Sequence, residues 1–226
     1  MSRSKFPVSL KGRLIVSCQA SPGDPLDDPY ILRKLAASAL RGGAAGLRAN
    51  GTEAISAFRK ETALPILGID KQYRDGAMCI TPGFEAARSI VEAGADVVAL
   101  DCTVDRPAFA EPWAEVSRRV QAELGKAVLA DIATYDEAVG AAEAGVDAVA
   151  TTLYGFTRET AGNRSVHWKL VERLTRDLNL PVVVEGHITQ PEEVRRAIDA
   201  GAFAVVVGSA ITRPESITAR FVKLIS

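Results

Sequence analysis

"EAGAD" (residues 92–96), "EAGVD" (143–147) and "DAGAF" (199–203) are one phrase written three times, and "RGGAAG" (41–46) is a looser copy. Each time a segment with helical spacing stops on glycine, and an apolar run starts within two or three positions. Glycine accepts the left-handed backbone that ends a helix, so a glycine cap followed at once by a strand is a tight helix-to-strand loop. The segments before the phrase carry start signals too. "TYDEAVGAAEAG" (134–145) opens on a Thr/Asp cap signal. "TQPEEVRRAIDAG" (189–201) offers Thr189 as N-cap, Pro191 near the first turn and acids at its start. "FEAARSIVEAG" ends in the same way at Gly94.

The strands implied are "RLIVSC" (13–18), "AGLRAN" (45–50), "PILGI" (65–69), "DVVAL" (96–100), "AVLAD" (127–131), "DAVATT" (147–152), "PVVVEG" (181–186) and "AFAVVVG" (202–208). They are apolar on both faces, as strands of a parallel sheet are when helices cover them. No Pro-, Gly- or Ser-rich linker divides the chain. About eight β-α units in 226 residues fit an α/β chain folded as one closed (β/α)8 TIM barrel, a single domain over 1–226. The structural alternative is an open doubly wound sheet, which would have fewer strands. No glycine-rich dinucleotide fingerprint follows the first strand.

Composition narrows the function. The chain is 47% hydrophobic and 24% charged, which is ordinary for a globular protein. A formal net charge of -1 argues against a general nucleic-acid binder. No apolar run is long enough to span a membrane. "MSRSKFPVSLKG" (1–12) shows no signal core or cleavage site. Cys18, Cys79 and Cys102 are an odd number without metal-ligand spacing, and His167 and His187 lie far apart. These features indicate a cytoplasmic protein with reduced thiols and no built-in zinc site.

In such a barrel the chemistry sits at the C-terminal ends of the strands. Those ends carry Gln19, Arg48, Asp70-Lys71, Asp101, Asp131, Thr151-Thr152 with Tyr154, Glu185-Gly186-His187, and Gly208-Ser209 with Arg213. Each has an ordinary reading alone. Asp101 or Asp131 could cap the next helix, with Thr134 and Asp136 competing for the second of these. Tyr154 could pack on the rim. His187 could be a loop or ligand-stacking residue, and Cys18 an inert buried thiol. Together they form a ring of cations, carboxylates and an amide on one face. A glutamate ending "PVVVE" is costly in an apolar barrel unless paired or used. "VVVEGHITQPEEV" and "AVVVGSAITRPESI" add a phosphate signal, because adjacent strand–Gly–helix units let backbone N–H groups approach an anion. Arg213 could add a bidentate clamp.

"LIVSCQA", "GLRANG", "PILGIDKQY", "ITP", "VVALDCT", "ADIAT", "TTLYGFT", "VVVEGHI" and "AVVVGSAITRP" together resemble the N-acylmannosamine-6-phosphate 2-epimerase family, in order and over nearly the whole chain. The resemblance implies a (β/α)8 barrel acting in bacterial sialic acid and amino-sugar catabolism. It would convert N-acetylmannosamine 6-phosphate to N-acetylglucosamine 6-phosphate with no metal or organic cofactor. It implies Lys71 as the base, Glu185 as its acid partner, Arg48 and Asp131 as supporting charges, and Gln19 as a substrate-orienting amide. Gly186, Gly208, Ser209 and Arg213 would form the phosphate end, and Tyr154 would bind substrate near the sugar or acyl region. Ser209 stands where a second glycine is expected, and the residue after "EG" varies, here His187. A homodimer is also implied. "ESITARFVKLIS" (215–226) has an apolar face that completes the chain's own ring or exchanges with a partner. Two rival readings use the same residues: an aldolase with Lys71 as Schiff base, and a non-catalytic barrel that binds a phosphosugar. The convergence of Lys, Arg, Asp and Glu favours acid–base chemistry over sensing.

Overall fold

A computed structural model describes residues 4–225. The sequence readings of the two ends fall partly on residues 1–3 and on Ser226, which lie outside the described residues. The chain runs β1 (Arg13–Ser17), α1 (Pro29–Arg41), β2 (Gly46–Asn50), α2 (Thr52–Arg59) and β3 (Ile66–Ile69). A hairpin follows, β4 (Lys71–Arg74) and β5 (Ala77–Ile80), then α3 (Phe84–Glu92), β6 (Val97–Asp101), α4 (Trp113–Glu123) and β7 (Ala127–Asp131). The remainder is α5 (Tyr135–Glu143), β8 (Ala148–Ala150), α6 (Trp168–Asp177), β9 (Val182–Glu185), α7 (Pro191–Asp199), β10 (Ala204–Val207), α8 (Ser209–Thr212) and α9 (Pro214–Val222).

Eight strands close into a barrel in the order β1-β10-β9-β8-β7-β6-β3-β2. Every neighbouring pair in the ring is parallel, including the closing pair of β1 with β10. The helix-ending glycines behave as the repeat demands: Gly94, Gly145 and Gly201 have φ of 117°, 84° and 91°. Thr134 caps α5, its hydroxyl accepting from the Glu137 N–H while Glu137 reaches back, a reciprocal capping box. The cap of α7 is one residue later than the sequence suggests. Gln190, not Thr189, is the N-cap, because the Glu193 carboxylate accepts the backbone N–H groups of both residues and draws the chain into the helix from Gln190.

Strand periodicity sorts the core into layers. Ile15, Leu67, Ile69, Val97, Ala99, Leu129, Ala148, Ala150, Val183 and Val206 fill the barrel interior. Their sequence neighbours, such as Val16, Ile66, Val98, Val128 and Val149, face the helices. The lower end is stoppered by Phe6 and Leu10, with Phe6 edge-on to Phe203 at 5.7 Å. Gly46 makes room for this stopper: a Cβ there would lie 2.9 Å from Leu10 Cδ2. The same alternation aims the last residue of each strand. Counting on by two from the interior residues gives Ser17, Lys71, Asp101, Asp131, Thr152, Glu185 and Gly208, so the polar groups gather at the upper mouth. Leu47 and Ala49 face the helices, which turns Arg48 inward with them.

Helix α9 buries none of its side chains, and Phe221, Leu224 and Ile225 are exposed at the C-terminal end. Among the described residues these three side chains thus remain exposed. Among the described residues, no helix is long and apolar enough to cross a membrane.

Candidate active site

The hairpin answers why a lysine follows the apolar strand "PILGI". Lys71 does not end at the surface; it opens β4 and pairs with Ile80 across the hairpin. The turn is Asp75-Gly76, both left-handed at φ 53° and 79°. Asp-Gly is a strong hairpin signal, and the sequence reading passed over it. The backbone N–H of Lys71 donates to Asn50 Oδ1 at 2.8 Å, which ties the hairpin to β2. Its side chain reaches a cleft of about 520 Å³ lined also by Gln19, Glu185, Gly186, Gly208, Ser209 and Arg213. Of the ten site residues that the family resemblance implies, seven therefore share one cavity, the exceptions being Arg48, Asp131 and Tyr154.

Arg48 and Asp131 form the buried support beneath it, 1% and 0% exposed. Arg48 holds Asp131 with both terminal nitrogens, Nη2–Oδ2 at 2.5 Å and Nη1–Oδ1 at 3.0 Å. Nη1 also reaches Glu185 Oε2 at 2.5 Å. Thr152 Oγ1 donates to Asp131 Oδ1 at 2.5 Å. Asp131 is thus an ion-pair partner, not a helix cap. One guanidinium serves two carboxylates, and its Nε is buried with no hydrogen-bond partner.

This arrangement pushes an acid and a base toward each other. Burial, then the positive charge of Arg48, lowers the Lys71 pKa to about 8. Burial raises that of Glu185, with Arg48 opposing. Burial disfavours the Arg48 cation, but Asp131 and then Glu185 more than compensate, so its pKa is raised. Neutral Lys71 with protonated Glu185 has the same net charge as the ionised pair. A proton can therefore be held on either side without changing the site's total charge. Among the described residues, no hydrogen bond or ion pair engages Lys71 Nζ, which leaves it free for a substrate.

The depressed lysine has a stability consequence. Between about pH 8 and the ordinary lysine value of 10.5, the unfolded chain holds a proton that the folded chain has lost. Stability therefore rises with pH through that window, and below it the fold carries a buried ammonium. Lys71→Met is expected to melt at a higher temperature than wild type at pH 7, with the gain shrinking by pH 9.5. Thermal melts at the two pH values check this; a lower melting temperature at both would contradict it.

The opposite end of the cleft suits an anion. Gly186 has φ 94°, a backbone that favours glycine. Gly208 is the N-cap of α8, and a Cβ there would touch Ser17 Cβ at 3.4 Å. Thr212 Oγ1 donates to the Ser17 carbonyl at 2.8 Å and fixes α8 against β1. The Arg213 guanidinium reaches only Ser21 Oγ, at 3.5 Å, and no carboxylate pairs with it among the described residues. Gln19 donates through Nε2 to Ser17 Oγ at 2.9 Å, while its Oε1 is buried and unpartnered.

Other residues fall elsewhere. Tyr154 does not line this cleft: it stands behind His187, which it meets edge-on at 6.4 Å, and packs against His167 at 5.0 Å. The reason is a turn, Tyr154 N–H to the Thr151 carbonyl at 3.2 Å, which breaks the strand alternation just before it. His187, in contrast, does line the cleft: left-handed at φ 60°, it meets the Tyr154 carbonyl through Nε2 at 2.8 Å and stacks on Phe156, another lining residue, at 5.6 Å. Asp101 accepts from Thr103 in a local turn rather than capping a helix. The three thiols are buried and unpaired, and burial pushes Cys18 and Cys79 up to about 12. Phe156, Arg164 and Arg220 also line the cleft, and sequence reasoning did not find them. They come from a long loop and from α9, with no motif to mark them.

The family model described as "Putative N-acetylmannosamine-6-phosphate epimerase" matches residues 32–226. A "Putative N-acetylmannosamine-6-phosphate 2-epimerase" of Caldanaerobacter subterraneus is 44% identical over 218 residues, covering 96% of this chain and 92% of that protein. One of the same name from Clostridioides difficile is 43% identical, covering 96% of this chain and 97% of that protein. The solved structure of the N-acetylmannosamine-6-phosphate 2-epimerase from Clostridium perfringens superposes with a TM-score of 0.90 at 36% identity, covering 99% of each chain. With its eight-stranded ring and the polar groups at its mouth, this chain belongs to the N-acetylmannosamine-6-phosphate epimerase family.

Proposed function

We propose that the protein interconverts N-acetylmannosamine 6-phosphate and N-acetylglucosamine 6-phosphate by moving the proton at C2. One observation carries this reading. Lys71 follows β3 and Glu185 ends β9, four strands apart round the eight-strand ring, the largest separation the ring allows. Both line the same cleft. Inverting a carbon requires taking its proton from one face and returning one to the other, and groups on opposite walls are placed for that.

The C2 proton is acidic only beside a carbonyl, so the sugar must react as its open C1 aldehyde. Neutral Lys71 removes the proton, and an enolate forms. Glu185 returns a proton from the far wall. Arg48, buried beneath the cleft, brings a positive charge that favours the developing oxyanion on C1. Asp131 holds Arg48 in place and Gln19 offers its free carbonyl to a substrate hydroxyl or amide N–H. The phosphate, at Gly186, Gly208, Ser209 and Arg213, is unchanged in the reaction, so its binding energy positions C2.

This reading treats 1–226 as one domain, since the ring closes between its first and last strands. It includes a homodimer, supported by the exposed Phe221, Leu224 and Ile225 at the C-terminal end, and a cytoplasmic setting, supported by three unpaired thiols. The test is to incubate purified protein with either phosphosugar and follow the anomeric protons by NMR. Both sugars should reach the same mixture; a failure of either to convert would refute the proposal. Arg213→Ala is expected to raise KM by about tenfold or more with kcat within a few-fold, because it removes binding shared by ground and transition states. A loss confined to kcat would remove Arg213 from the phosphate site.

A further inference from the structure

The hairpin that carries Lys71 is closed by an unusual residue. Thr81 is fully buried, β-branched and left-handed at φ 51°, a conformation such residues rarely adopt. Pro82 follows it and further restricts its backbone. Thr81 clasps Asp70, the residue before Lys71, at two points. Its N–H donates to the Asp70 carbonyl at 2.8 Å, and its Oγ1 accepts from the Asp70 N–H at 3.1 Å. Something must hold Thr81 in that shape, and Arg106 does so. Its Nη2 donates to the carbonyls of Thr81 and Pro82 at 3.2 and 2.9 Å. Its Nη1 donates to the Asp101 carbonyl at 2.5 Å and its Nε to that of Glu111 at 2.9 Å. Among the described residues no carboxylate pairs with this guanidinium, so its donors are spent on the backbone around the corner.

Resting on the reading of Lys71 as the base, we infer that Arg106 and Thr81 are positioning residues that set where the Lys71 amine stands in the cleft. Arg106 staples the β6–α4 loop to the Thr81–Pro82 corner. Thr81 passes that constraint to Asp70, and Asp70 fixes the start of β4. Neither residue lines the cleft, so neither touches substrate. Proton abstraction depends steeply on distance, and a displacement of about 1 Å can cost on the order of 100-fold in rate. Substrate binding, made mostly at the phosphate end, should hardly respond.

The experiment measures kcat and KM for Arg106→Ala, Thr81→Ala, Thr81→Ser and Lys71→Ala at a temperature well below each variant's melting point. Arg106→Ala and Thr81→Ala are expected to lower kcat by about 10- to 100-fold with KM within about threefold. Thr81→Ser keeps the Oγ1 clasp and should restore kcat to within about threefold of wild type. Should Arg106→Ala fail to fold, the contrast between Thr81→Ala and Thr81→Ser decides alone. The inference is overturned if Arg106→Ala and Thr81→Ala keep wild-type kcat while Lys71→Ala is inactive, or if they raise KM and leave kcat alone. Substantial activity in Lys71→Ala would instead remove the base assignment, and the inference with it.

Discussion

Lys71→Ala should lower kcat by at least about 10³-fold while leaving phosphosugar affinity within a few-fold of wild type. The expectation follows from how the side chain is held. Lys71 is the cation in the cleft whose pKa burial and Arg48 bring down to about 8, and its amine has no competing partner among the described residues. A group so placed is available as a base near neutral pH. The proposed phosphate contacts come from other strands of the ring and from Arg213, so truncating Lys71 should leave them intact. Isothermal titration with the product sugar measures the binding arm and an NMR assay the rate. Retained turnover would move the proton transfer to another group. Loss of binding in step with turnover would make Lys71 a substrate anchor instead. The wild-type rate should climb as pH rises through about 8, because only the neutral amine can accept the proton.

Arg48→Ala should be the most destabilising single change in the barrel mouth, at about 3–5 kcal/mol. Removing the guanidinium leaves Asp131, fully buried, and the Glu185 carboxyl without their shared cation. For a chain of this length such a loss is on the order of 10 °C in melting temperature. Arg48→Lys keeps a charge but cannot hold Asp131 with two parallel bonds, so it should fall between wild type and alanine. The kinetic effect has a predicted sign. Without Arg48 the repulsion that helps depress Lys71 is gone, so the rise of rate with pH should move to higher pH. Thermal melts and a pH–rate profile test both halves. A melting temperature within a degree of wild type would mean that the ion pairs of Arg48 with Asp131 and Glu185 contribute little to the fold.

Much of this was legible in the chain, for identifiable reasons. The glycine-then-strand phrase marks each helix-to-strand loop, and period-2 alternation carries inward-facing strand ends such as Asp131 and Glu185 to one mouth. The failures occur where alternation stops. Tyr154 looked like a cleft residue, but the turn at Thr151 swings it behind His187. The hairpin of β4 and β5 was missed although Asp75-Gly76 announces it, because the apolar run before Lys71 reads as a finished strand. Which carboxylates share Arg48 depends on ring order, since β2, β7 and β9 are far apart in sequence. Phe156, Arg164 and Arg220 reach the cleft from irregular chain or from α9, where neither strand nor helix period points anywhere in particular.

In the proposed mechanism the proton at C2 is removed and replaced in this cleft, with Lys71 as the base. Proton NMR of N-acetylmannosamine 6-phosphate with the purified protein in deuterated water tests it directly. N-acetylglucosamine 6-phosphate signals should appear, the C2 proton signal should be lost as deuterium enters from solvent, and Lys71→Ala should do neither. A substrate that keeps its C2 proton and yields no product, or a Lys71→Ala variant that exchanges it as fast as wild type, would overturn this mechanism.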